Sequence, residues 1–436
     1  MTSAGQWLSS APAHWTRGRL KDLISSSANG TWGGDPVEDG NNVRCIRAAD
    51  FDRVARRADL SNAPLRYVEP SSLRQHLLRP GDLVLEKSGG GEKQPVGMAV
   101  LVTDTDPAVS SNFCARIKPS ADVDSRFLTY VFAAAYGQGL TQAAIKQTTG
   151  IQNLDTQAFF ASRWAFPAKE DQRRIADFLD VETPRIDRLI HLQGRTLEKL
   201  EERERAQLDS AVDELVDQWG TVPFRRFLRG VDQGTSPQAE ALPAGPDEWG
   251  VLKVSCLRPG RFFPDANKRL PSDMEPDVRH EVRAGDLLIT RANTPQLVGS
   301  TAVVPQTRGK LLLSDKIFRV RLGEGIAPEF VAMVARGSRI RGLCSASSNG
   351  ASQSMANIRF EEIKAWPVPA AALDVQKDVV RRIDRQRLAL DDMRALIERQ
   401  VSLLNERRQA LITAAVTGQF DVSTASGRNV TEGVSA

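Results

Sequence analysis

Residues 79–101, RPGDLVLEKSGGGEKQPVGMAVL, place Gly89, Gly90, Gly91 and Lys93 directly after a strand-like run, a composition that could cradle phosphate. Such a cradle requires a glycine loop opening a helix, so that loop amides and the helix N-terminus aim at one anion. The nucleotide-binding spacing also requires Gly-Lys followed by Ser or Thr. Here Glu92 separates Gly91 from Lys93, Gln94 follows, and the next run, PVGMAVLV, is rich in β-formers. The stretch therefore predicts a hairpin between two strands.

Other reactive constellations are missing. His14, His76, His191 and His280 stand apart from one another, and Cys45, Cys114, Cys256 and Cys344 form no C-x-x-C pair. No metal-ligand spacing results, and scattered cysteines fit a reducing cytoplasm better than a disulfide framework. No G-x-S-x-G elbow, no adenosylmethionine-type glycine motif with Asn/Asp-Pro-Pro-aromatic and no clear nuclease Asp with Glu-x-Lys occurs, and Glu86-Lys87 lacks the intervening residue. Neither catalytic nor metal residues are assigned. The N-terminus lacks a charged and apolar leader, and FLTYVFAAAY (127–136) is too short to span a bilayer, so it predicts a buried helix.

The chain has 436 residues, a net charge of +4 and 41% hydrophobic residues, enough for two or three ordinary cores. Arginine outnumbers lysine. Coding bias and bidentate contact with phosphate or guanine explain that equally well.

Positioning comes from a duplication. Gly30-Thr31 recurs as Gly234-Thr235, Gly81-Asp82 as Gly285-Asp286, Asn153 as Asn357 and Gln172 as Gln376, each 204 residues later. LEERERAQLDSAV (200–212) matches LNERRQALITAAV (404–416) at the same distance. Each copy begins with a Gly-, Pro- and β-rich part and ends in a nearly glycine-free part of helical period. Ile175, Leu179, Ile186, Leu189, Leu197, Leu200, Leu208 and Val212 form one stripe. Its counterparts Val379, Ile383, Leu390, Met393, Val401, Leu404, Ile412 and Val416 are all apolar. Thr183-Pro184 reads as an N-cap and N1 pair, predicting a short helix (170–181) before a long one (184–217). The second copy is expected to end at Gly418.

A 34-residue helix extends ~50 Å and delivers the second globular part far from the first. Sixteen stripe residues left in water would forgo ~1.5–3 kcal/mol each, so the two helices are expected to pack antiparallel. The predicted fold is α+β: two similar mixed α/β domains (1–168 and 220–372) joined by a long antiparallel two-helix coiled coil (169–219 and 373–421), pseudo-two-fold symmetric, with a disordered tail (422–436). The residues assigned to the coiled-coil seam are Ile186, Leu189, Leu197, Leu200, Leu208, Leu390, Met393, Val401, Leu404 and Ile412.

PAKEDQRRIADFLDVETPRIDRLI (167–190) resembles a conserved region of the specificity subunits of type I restriction-modification systems, in which an (E/D)Q-x-x-I-A-x-x-L-D helix follows a Pro-rich strand end. LLNERRQALITAAVTGQFD (403–421) is similar to that family's second conserved region. HWTRGRLKDLI (14–24) and VPFRRFLRGV (222–231) are similar to the starts of its two target recognition domains. The second copy departs at Val375-Gln376-Lys377, where the first has Asp171-Gln172-Arg173.

The resemblance implies a non-catalytic DNA-recognition subunit. Each domain would read one half of a bipartite asymmetric target in double-stranded DNA, and the helices would set the spacing. Two methyltransferase subunits, which would carry S-adenosylmethionine, would dock beside the helices, and restriction subunits could join them; this chain itself would need no cofactor. Half-sites on one side of a duplex lie roughly 34–36 Å apart, a distance a rigid spacer can set. Phosphate neutralisation dominates nonspecific affinity, so the modest net charge implies weak binding by this chain alone.

For base reading the polar loop residues are Lys87, Lys93, Gln94, Lys146, Gln147 and Thr148 in the first domain, and Arg291, Asn293, Gln296, Ser347, Asn349 and Gln353 in the second. Arg and Lys suit guanine edges, Asn and Gln adenine. For each the plainer alternative is a solvated loop residue or a phosphate contact. A different class of function, a coiled-coil scaffold binding proteins instead of DNA, is disfavoured because the helices agree while the domains diverge.

Overall fold

The computed structural model describes residues 11–38, 42–91, 94–148, 150–347 and 356–424. The tail residues from 425 on lie outside this range. The chain divides into two compact units. Unit 1 combines residues up to Gly194 with those from Glu398 on, and unit 2 is the continuous segment Arg195–Ile397.

Unit 1 is built on an antiparallel sheet in the order Ile24–Asn29, Cys114–Pro119, Leu83–Glu86, Ala99–Leu101, extended by Arg57–Ala58 and Phe51–Asp52. Unit 2 repeats its first four strands as Leu228–Gln233, Ile317–Leu322, Leu287–Thr290 and Thr301–Val303. A second, three-stranded sheet recurs too: Asn42–Ile46 lies between parallel Ala108–Ser110 and antiparallel Leu65–Tyr67, and Gly250–Leu252 between parallel Leu311–Leu312 and antiparallel Asn267–Arg269. The hairpin Leu257–Arg258/Arg261–Phe262 of unit 2 stands as its own two-stranded sheet.

The doubled sequence signals have doubled structural reasons. Gly81 and Gly285 adopt φ of +96° and +89°, a left-handed turn that glycine enters without a β-carbon penalty. The following Asp82 and Asp286 accept the backbone amides of Arg79 (3.0 Å) and Arg283 (2.9 Å).

The first apolar helix, α1 (Ser125–Gly137), is buried and N-capped by Asp124, as FLTYVFAAAY predicts. Next comes α2 (Lys169–Trp219), then in unit 2 the equivalent of α1, α3 (Pro328–Arg336), and finally α4 (Leu373–Val416). Gln172 and Gln376, both almost fully buried, perform one task in their separate units. Gln172 accepts the Asp124 amide at 2.9 Å and donates to the Pro167 carbonyl at 2.9 Å. Gln376 accepts the Ala327 amide at 2.9 Å and donates to the carbonyls of Ala371 (2.8 Å) and Gly325 (3.0 Å). Asp124 and Ala327 are the N-cap residues of α1 and α3, so each glutamine ties the start of a long helix to the start of the domain helix.

In unit 1, Ile175, Leu179 and Ile186 of α2 share one core with Leu411, Ile412, Ala415 and Val416 of α4, and Leu404 packs on it. The pairing runs antiparallel: Arg408 Nε meets Asp187 Oδ1 at 2.6 Å, and Gln193 donates to Gln400 at 3.1 Å. In unit 2, Leu208, Val212 and Leu215 of α2 share a core with Val379 and Ile383 of α4. There Arg394 meets Glu204 at 2.8 Å and Arg382 meets Glu214 at 3.4 Å, again antiparallel.

Two expectations need correction. The Thr183-Pro184 break does not occur, and α2 runs unbroken with Pro184 inside it. Proline removes the bond to the Asp180 carbonyl and crowds it, but Leu179, Thr183 and Ile186 on either side are buried, and that burial offsets the penalty. The Thr183 hydroxyl donates to the Leu179 carbonyl at 2.8 Å. Because Pro184 itself is exposed, Pro184→Ala is expected to stabilise the protein by about 2 kcal/mol, the interior-proline penalty of ~3 kcal/mol less the entropy regained by the unfolded chain. Urea denaturation checks this, and a loss of stability would show that the proline's shape is needed for packing.

The second correction concerns the stripe. Leu189 and its counterpart Met393 are 49% and 40% exposed, and Leu197 and Val401 are half-buried. Ile186, Leu200, Leu208, Leu390 and Ile412 are buried.

Candidate nucleic-acid interface

In unit 1, Leu83–Glu86 and Ala99–Leu101 form the expected hairpin. Its glycines are not a free tip. Ser88–Gly89 pairs with Ile151–Leu154, which pairs with Ile145–Thr148. This small sheet gathers both predicted clusters, with Lys87 entering one edge strand and Lys146, Gln147 and Thr148 lying on the other. Gln147 stands opposite Gln152. The Lys146 ammonium meets Asp155 Oδ2 at 2.7 Å, so its charge is engaged within the protein. That contact holds the Asp155 carboxyl below the usual range while Asp155 N-caps the short helix Thr156–Phe160. Lys93 lies outside the described residues.

Gln94, exposed beyond the glycines, faces Arg53. With its amide oxygen turned inward it accepts Arg53 Nε at 2.6 Å and Nη1 at 3.2 Å. Arg53 in turn meets Glu86 Oε2 at 3.0 Å. Burial pushes the Glu86 carboxyl up, and Arg53 pulls the other way.

Unit 2 uses the same register with different residues. Ala292–Asn293 pairs with Ala356–Asn357, matching Ser88–Gly89 against Gln152–Asn153 shifted by 204 positions. Arg291 stands where Lys87 does, Asn293 where Gly89 does, and Thr290 where Glu86 does. The Arg291 amide donates to the Lys316 carbonyl. Against the upward pull of burial, Lys316 and Ser236, with the half-buried Arg291 side chain behind them, hold the Asp315 carboxyl below the usual range. Asn293 is 8% exposed; its Oδ1 accepts the Thr294 amide at 2.9 Å and its Nδ2 has no partner among the described residues. Gln296 is exposed on the following loop. Ser347, exposed, ends the helix Ser338–Ser347, whose Arg341 donates to the Gln296 and Val298 carbonyls at 2.8 Å each. Asn349 and Gln353 lie outside the described residues.

Sequence reasoning missed Arg53 and Arg341, which brace the two loops from distant positions. It also missed Phe113, 52% exposed, whose carbonyl accepts the Lys87 and Ser88 amides. No local pattern marks an exposed aromatic in SSNF as different from a core one. Arg17, Arg19, Lys21 and Arg163 line a shallow cationic recess on the paired strands Thr16–Arg19 and Arg163–Phe166. All four cysteines are buried, and burial pushes the thiols of Cys45, Cys114 and Cys256 to about 11, 12 and 12, far from reactive thiolates. Among the described residues no three His, Cys, Asp or Glu side chains gather as a metal site, and no helix is long and apolar enough to cross a membrane.

These features define a duplicated α+β chain that places different residues on equivalent small sheets. No protein-family model matches it. It is similar to the EcoKI specificity subunit of Escherichia coli (strain K12), a type I restriction enzyme subunit, with 22% identity across 86% of this chain and 81% of that one. It is also 28% identical to the EcoEI specificity subunit of Escherichia coli across 45% of this chain, a match spanning only 34% of that protein. Among solved structures it resembles a chain from a study of the assembly and conformational transition of a type I restriction-modification system (TM-score 0.70, 15% identity, 94% and 99% of the two chains). The HsdS subunit of Thermoanaerobacter tengcongensis has the same fold (TM-score 0.51, 15% identity, 94% and 98%). The chain is thus similar in sequence to type I restriction-enzyme specificity subunits and shares the fold of HsdS structures.

Proposed function

We propose that each unit reads one half of a bipartite, asymmetric sequence in double-stranded DNA, and that α2 and α4 pair as a coiled-coil spacer with pseudo-two-fold symmetry, fixing the separation of the halves. The observation that carries this reading is the pair of small sheets, which share one register but are entered by the half-buried Lys87 in one unit and the half-buried Arg291 in the other, with Ser88 and Ala292 as the first paired residues. Equivalent supports with unlike side chains are what a two-part address requires.

Two methyltransferase subunits, supplying S-adenosylmethionine chemistry that this chain does not perform, dock on the helices. Leu189 and Leu192 are half-exposed, and so are Met393 and Leu396 at the same positions of the repeat. Exposed apolar pairs repeated in this way offer two identical partners equivalent surfaces.

In the assembled methyltransferase complex, Arg291→Ala is expected to cost about 1–3 kcal/mol of binding at one base position of the second half-site and leave the first unchanged. Fluorescence anisotropy on duplexes varied in one half at a time checks this. Equal weakening on every duplex would make Arg291 a phosphate contact. Failure of the complex to prefer any duplex over random DNA would favour a protein-binding scaffold.

A further inference from the structure

The turn joining Phe51–Asp52 to Arg57–Ala58 in unit 1 carries an arginine in an unusual state. Arg56 has a φ of +56°, in the left-handed region that a β-carbon disfavours, and is 5% exposed. Its guanidinium has five N–H donors but makes one long hydrogen bond, from Nη1 to the Val54 carbonyl at 3.5 Å, and sits 5.3 Å from the centre of the Tyr130 ring. No carboxylate among the described residues lies in ion-pair range of it. The acidic groups facing it are already engaged. Asp180 accepts from Arg126 (3.0 Å) and the Tyr130 hydroxyl (2.7 Å), and Asp187 meets Arg408 at 2.6 Å. Burial, with Arg408 adding to it, pulls Arg56 down to about 10, still charged at neutral pH.

In front of this cation lies a cavity of about 270 Å³, whose charged lining is Arg56, Arg57 and Arg126 together with Asp180 and Asp187, the two carboxylates already held by Arg126 and Arg408. The other copy of the repeat shows what the position looks like when its charge is satisfied internally. Residue 260, 204 positions on, is glycine with a φ of +73°. A β-carbon there would stand 2.5 Å from Arg336 Cδ, so in unit 2 the space belongs to Arg336, and that cation is paired with Glu204 at 2.7 Å. Unit 2 supplies both the arginine and its carboxylate. Unit 1 supplies an arginine, a strained backbone to aim it, and a cavity.

We propose that the unit 1 cavity is a binding site for a small oxyanion, a free phosphate or short carboxylate, with the Arg56 fork as its ion-pairing group and Arg57 beside it. A buried guanidinium favours a bidentate oxygen pair over a spherical halide. The walls come from the turn, α1 and the Thr183-Pro184 segment of α2, so a bound anion fastens the turn to the helix. This site is separate from the small sheet and does not rest on the DNA-reading proposal.

The test uses the full chain. Phosphate and malonate are expected to raise the thermal midpoint with increasing concentration, as mass action on the folded state requires, whereas chloride at matched ionic strength does not. Isothermal titration with phosphate gives the affinity directly. Arg56→Gly copies the unit 2 backbone and relieves the left-handed strain, so it is expected to fold with an unchanged or higher midpoint and to lose the anion response. Arg56→Lys, which keeps the charge without the fork, is expected to weaken phosphate at least tenfold. Absence of a phosphate or malonate shift in the native chain, an equal shift with chloride, or retention of the full shift in Arg56→Gly would each overturn the proposal.

Discussion

Glu204→Ala is expected to destabilise unit 2 by about 3–5 kcal/mol, the range for removing one partner of a buried ion pair. Glu204 Oε1 accepts from Arg336 Nη2 at 2.7 Å and Oε2 meets Arg394 Nη1 at 2.8 Å. The Arg336 side chain is all but buried and that of Arg394 mostly so, which means truncation strands Arg336 where water cannot fully replace the carboxylate and leaves Arg394 with Asp391 alone, at 3.1 Å. Burial and neighbouring Arg387 already lower Arg336, and Glu204, with Asp384 behind it, opposes them. Glu204→Gln keeps the shape and one acceptor, so a smaller loss is expected. Hydrogen exchange resolved by peptide measures the effect in unit 2. A loss under about 1 kcal/mol for the alanine variant would reduce the triad to a surface ion pair.

Ile412→Ala is expected to cost unit 1 about 2–5 kcal/mol. The side chain is fully buried in one core with Ile175 and Leu179 of α2 and with the residues of α1. Its loss removes transfer energy and leaves a cavity between elements fixed at both ends, which restricts collapse. The contrast is Leu189, predicted for the same seam but half-exposed. Leu189→Ala is expected to change the stability of the free chain by less than about 0.5 kcal/mol and to weaken methyltransferase docking. Urea unfolding of both variants separates the two roles, and equal losses would put Leu189 in the core.

The duplication was the most legible feature because a period of 204 residues is independent of propensity. Gly81 and Gly285 needed the same left-handed turn, and Gln172 and Gln376 the same pair of buried bonds, so the residues persisted together. The continuity of α2 was not legible: Thr183-Pro184 is a good local start signal, and only the buried faces of Leu179 and Ile186 overrule it. In the candidate interface the hairpin was legible from its β-rich flanks, but Lys146, Gln147 and Thr148, read as loop residues, lie on the strand Ile145–Thr148, and the partners of the side chains were not legible. Asp155 is nine residues from Lys146 in the chain and Arg53 is forty-one from Gln94, and no local pattern announces either contact. Arg56 was invisible for a related reason, since φ is a property of the fold around a residue and its sequence neighbours, Ala55 and Arg57, give no sign of a left-handed backbone.

The division of the chain carries a consequence for biosynthesis. Unit 2 is one uninterrupted segment, whereas unit 1 needs Leu411, Ile412, Ala415 and Val416 to complete its core. A nascent chain emerging from the ribosome can therefore finish the second domain while the first, made earlier, still has an open apolar face. The part translated first is the part that matures last, and a message truncated after residue 397 would yield one closed globule and one sticky one.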